Sequence, residues 1–109
     1  MTEEELLNNL REIEGTLRSN PVQTLIKRES DETRARFVSI LNNLSVAINR
    51  LGNDQLRALA GKLSELDGQL TNGIEATRAV ISRMNSAIEI VNTVSSVLST
   101  VSLAVGLFI

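Results

Sequence analysis

Apolar residues recur at intervals of three and four along almost the whole chain, the spacing of a helix with one buried side. Leu6, Leu10, Ile13 and Leu17 mark the inner face of a first helix, predicted over residues 3–19. Thr2 followed by Glu5 makes a capping box, and Glu3 and Glu4 suit the positive end of that helix. Ser19-Asn20-Pro21 ends it. Proline disfavours helical backbone at Asn20 and itself fits the first position of a second helix, with Asn20 as the cap. That second helix is predicted over residues 21–51. Val22, Leu25 and Ile26 precede a polar interval, Lys27 to Arg36, where Ser30 or Asp31 marks a kink or short break. From Phe37 the stripe is regular again through Leu41, Leu44, Ile48 and Leu51.

Gly52 supplies a left-handed stop, and Asn53 or Asp54 caps a third helix, so an antiparallel hairpin is predicted at Gly52. Leu56, Leu59, Leu63, Leu66 and Leu70 carry the stripe through that third helix, residues 54–71. Ile74, Ile81, Met84, Ile88, Val91, Val94, Leu98, Val101 and Val105 carry it through a long fourth helix, residues 74–108. The glycines of Asp67-Gly68 and Asn72-Gly73 are turn signals, and a bend or short loop is predicted at Thr71-Asn72-Gly73. Against that bend, the stripe keeps count from Leu70 to Ile74. Two glycines weaken a helix by only about 2 kcal/mol together. Val101 to Ile109 also alternates like a strand, but no second strand-like segment exists to pair with it, so helix is preferred. The expectation is an all-α fold, a helical bundle of about four helices forming a single domain over residues 1–109.

The C-terminal segment, residues 89–109, is amphipathic yet carries no charged residue after Glu89. On a helical wheel Ile90, Val91, Val94, Val97, Leu98, Val101, Val105, Phe108 and Ile109 share one arc. Asn92, Ser95, Ser96, Ser99, Thr100, Ser102 and Gly106 take the other, with Leu103 and Leu107 intruding. A neutral face of small residues lets another backbone come close. Three settings fit it: a helix buried on both sides in a bundle or oligomer, a membrane span, or a solvated serine-rich face. The first is adopted. The candidate association interface is Ile88, Val91, Val94, Leu98, Ser99, Val101, Ser102, Val105 and Phe108.

Composition narrows the chemistry. In 109 residues there is no Cys, His, Trp or Tyr, and Phe37 and Phe108 are the only aromatics. Without Cys there is no thiolate chemistry, and without His the usual metal ligand and general base are both missing. Neither Lys27 nor Lys62 lies in an apolar run that would suit it to act as a base, and the paired carboxylates Glu12/Glu14 and Asp31/Glu32 read as solvated surface. No cofactor, metal or catalytic residue is expected. A net charge of −2 offers no electrostatic case for nucleic acid. The basic patch Lys27, Arg28, Arg34 and Arg36 is interleaved with acids and has no aromatic stacking platform beside it. The acidic N-terminus does not read as a secretory signal or transit peptide, and the expected location is the cytoplasm, with membrane association as the alternative.

Two partial resemblances end in departures. Size and a central glycine turn resemble the small secreted helical hairpins of the WXG100 family, but the corner reads Arg50-Leu51-Gly52, without the signature Trp. Leu44, Ile48, Leu51 and Gly52 resemble the spacing of a Bcl-2-homology death helix, but Asn53 stands where that motif requires Asp. The chain is assigned to neither. The functional expectation is a non-enzymatic, self-associating helical interaction or structural protein with coiled-coil character. Its C-terminal helix is the association element, and its partner is a second copy or another helical protein. The alternative is a membrane-associated protein that uses residues 90–109 as a tail anchor or inserting helix. Twenty residues just reach across a bilayer core, though Asn92 and the Ser/Thr residues oppose insertion.

Overall fold

The computed structural model describes residues 2–51, 60–84 and 86–105, with backbone only at 60–62 and 104–105. The described residues form five helices and no strand: α1 Glu3–Leu17, α2 Asn20–Lys27, α3 Asp31–Leu51, α4 Ala60–Arg83 and α5 Ala87–Val105. A radius of gyration of 13.7 Å is close to the roughly 13 Å of a compact chain of this length.

The first boundaries come from local chemistry. The Thr2 hydroxyl accepts from the Glu5 amide at 3.1 Å, the capping half that the sequence promised. At the next junction the cap is Ser19 rather than Asn20, which is the first helical residue of α2. The Ser19 hydroxyl does not cap; it turns back to donate to the Thr16 carbonyl at 2.5 Å. The polar interval becomes a true break. Ser30 accepts from the Thr33 amide at 3.2 Å and starts α3, so the single helix expected over 21–51 is two helices.

The second half departs further from the pattern. α4 runs without interruption through Gly68 and Gly73, and the bend expected at Thr71-Asn72-Gly73 is absent. Gly73 serves packing instead: a Cβ built there would meet the Val97 side chain of α5 at 2.9 Å. Beside it the Thr77 hydroxyl is buried and donates to the Gly73 carbonyl at 2.8 Å. The long helix expected over 74–108 is broken after Arg83, where Met84 takes a left-handed backbone with φ 53°. For a residue with a side chain that conformation costs roughly 1–2 kcal/mol. Ser86 restarts the chain by accepting from the Glu89 amide at 3.3 Å, and Arg83 meets Glu89 across the link at 3.2 Å. α4 and α5 therefore run antiparallel, with Gly73 opposite Val97 and Arg83 opposite Glu89.

These two glycines give a paired prediction. Gly73→Ala should destabilise the chain by about 1–3 kcal/mol, because Val97 or α5 must move. Gly68→Ala adds a methyl to open space and should stabilise by about 0.5–1 kcal/mol. Urea unfolding of the two variants reads both signs.

α5 packs most extensively on α4 and α3, and α1 also touches both of them, while α3 and α4 meet little. The ring order is thus α1, α3, α5, α4, with α2 laid against α1, α3 and α5. The corner at Gly52 lies outside the described residues. The hairpin expected there is therefore set by residues whose structure is not described. One core joins all five helices, with Leu6, Leu10, Leu17, Leu44, Leu63, Leu70 and Ile90 almost wholly buried. Among the described residues no buried side-chain polar atom lacks a partner.

Candidate functional site

The arc of α5 that the wheel marks as apolar is spent inside the chain. Ile90, Val91, Val94, Val97, Leu98 and Val101 are all at most 4% exposed, covered by α3 and α4. Of the candidate association residues, Val91, Val94, Leu98 and Val101 therefore sit together in the core. Ile88, on the same sequence stripe, does not join them and is 46% exposed. The break at Met84 displaces it: α5 starts in a new phase, so Ala87, Ile90 and Val91 face inward and Ile88 turns out.

Ser99 is exposed and returns its hydroxyl to the Ser95 carbonyl at 3.1 Å, one turn back. Ser102 is half-buried. Val105 is the last residue of α5, but its side chain, like the whole of Phe108, lies outside the described residues. The outer face of α5 reads Ile88, Asn92, Ser96, Ser99 and Leu103, all exposed, with Glu89 at its edge. Asn92 accepts from Arg36 of α3 at 2.7 Å, which ties the charged start of that face to the neighbouring helix. Beyond Glu89 nothing on α5 carries a formal charge. No helix among the described residues is long and apolar enough to cross a membrane.

A second feature is a groove of about 290 Å³ between α1 and α4, lined by Glu12, Ile13, Thr16, Arg78, Ile81 and Ser82. Its cation is already engaged: Arg78 donates to Asn9 at 2.6 Å and to Glu12 at 3.0 Å. The groove offers neither a free charge nor a nucleophile beside a base. Among the described residues no group of three acidic side chains comes together to hold a metal ion.

The link between α4 and α5 is the feature that periodicity alone hides. The stripe runs on through it, and Met84-Asn85-Ser86 contains neither Gly nor Pro. A signal was present: Ser86-Ala87-Ile88-Glu89 has the spacing of a capping box, which starts a helix. No protein family, curated protein or solved structure matches the chain.

Proposed function

We propose that the chain is a non-enzymatic, self-associating helical protein in which α5 is the association element and the partner is a second copy. The observation that carries the reading is the absence of charge on every side of α5 beyond Glu89. In a twofold assembly the same face of both copies meets itself, residue i against j and j against i. A face studded with Lys or Glu of one sign repels itself there. Serine and asparagine both donate and accept, so they can pair with themselves across such an axis. The three other long helices are charged on their outer sides: Arg11 and Glu12 on α1, with Arg18 at its C-terminal cap, Asp31 to Arg36 on α3, Glu75 and Arg78 on α4. α5 is therefore the long helix that a second copy can accept at the lowest electrostatic cost.

Two differently tagged copies, co-expressed and purified on the first tag, should bring the second tag with them. Recovery of the first tag alone, at concentrations where the protein is folded, would set the reading aside.

A further inference from the structure

We propose that the association is an exchange: α5 leaves its own chain, α4 and α5 straighten into one helix through Met84–Ser86, and α5 docks between α3 and α4 of a second copy. This rests on the self-association reading and specifies its route.

Three observations converge on the link. Met84 is held in a left-handed backbone that an L side chain rarely adopts, so the folded-back form stores strain where a straight helix would have none. Nothing at residues 84–86 forbids a helix: the sequence is Met-Asn-Ser, without the Gly or Pro that would impose a turn. The apolar stripe is also in register across the link. Ile81, Met84, Ile88 and Val91 are spaced three, four and three, the spacing of one helical face. In the folded-back form Met84 is only half-buried, and straightening returns it to the stripe. Locally the link is held closed by an exposed Arg83–Glu89 pair and the Ser86 cap, about as large together as the strain they oppose.

Exchange also suits the area available. The outer face of α5 offers two large apolar side chains, Ile88 and Leu103, about four turns apart. That is far short of the roughly 800 Å² per partner that a stable interface covers. An exchanged α5 instead re-forms its own native contacts, Val91, Val94, Val97, Leu98 and Val101 included, against an identical core, so only the link changes conformation.

The chain has no native cysteine, and the geometry at Gly73 supplies a direct test. A Cβ built at Gly73 lies 3.8 Å from the Val97 Cβ, the separation of two cysteines in a disulfide. The full-length Gly73→Cys, Val97→Cys chain is separated by size under reducing conditions, its dimer fraction oxidised and then run denatured without reductant. Exchange predicts covalent dimers, because each α4 then faces the partner's α5. A dimer fraction that gives only internally bridged monomers overturns exchange and leaves self-association standing. The absence of any dimer fraction removes both. The second measurement uses Met84→Gly, which accepts the left-handed backbone freely and weakens the straightened helix. Exchange predicts a dimer weaker by roughly tenfold or more, since two links change per dimer. An unaltered dimer affinity overturns it.

Discussion

Leu98→Arg is expected to abolish cooperative folding, while Ser99→Arg, one residue on, leaves it nearly unchanged. Leu98 is 3% exposed in the middle of the packed arc of α5, whereas Ser99 is exposed on the opposite side. The arginine at 98 forfeits the burial of a leucine and places a guanidinium where the surrounding core offers it no carboxylate. Together these cost upwards of about 5 kcal/mol, comparable to the whole stability of a small domain. The arginine at 99 replaces a hydroxyl that, among the described residues, donates to a carbonyl one turn back, and should shift stability by less than about 0.5 kcal/mol. Circular dichroism during a thermal scan separates the two. A cooperative melt for Leu98→Arg close to that of the parent would mean that α5 is not part of the core.

The second large effect concerns the whole helix. A chain ending at Glu89 is expected to lose its fold rather than merely its partner. Removing residues 90–109 takes six large buried side chains, Ile90, Val91, Val94, Val97, Leu98 and Val101, out of one core. At roughly 1.5–3 kcal/mol each, their burial is about 9–18 kcal/mol, and a typical domain has only about 5–15 kcal/mol in total. The sides of α3 and α4 that pack on α5 would be left facing solvent. Amide exchange should find the truncated chain unprotected in α3 and α4. Native-like protection there would show that α5 is an appendage.

The helices that were legible from the sequence are those whose stripe and end signals agree. In α1, the Thr2–Glu5 box, the four inward apolar residues and the Asn20-Pro21 stop all point to one element, and its buried set is Leu6, Leu10, Ile13 and Leu17. The all-α class and the inward arc of α5 were legible for the same reason. The sequence misled where one signal has two physical uses. Glycine breaks helices, but it also admits a close neighbour, and Gly73 is used for the second purpose against Val97. Periodicity is blind to direction: a stripe in register reads the same whether the chain continues or folds back, so the break at Met84 was invisible to it. Folding back is favoured by tertiary burial, which sets the α4–α5 contact against strain at a single residue.

That change of course also altered what the candidate interface means. Val91, Val94, Leu98 and Val101 mark an interface in the sequence because so apolar a helix needs a partner, and within the chain α3 and α4 serve as that partner. Of the residues left outside, Leu103 falls on the polar arc of the wheel, whereas Ile88 shares the stripe of Val91, Val94 and Leu98. Only the phase of α5 relative to α4 distinguishes Ile88 from them, and the Ser86–Glu89 cap sets that phase.

Self-association of the full-length chain is the central claim, and its mass in solution tests it most directly. Light scattering on the unmodified protein, over about a hundredfold range of concentration, should show the average mass rise from 11.9 kDa toward twice that value or beyond. A mass that stays at 11.9 kDa across the whole range, for a chain that remains helical, would contradict it.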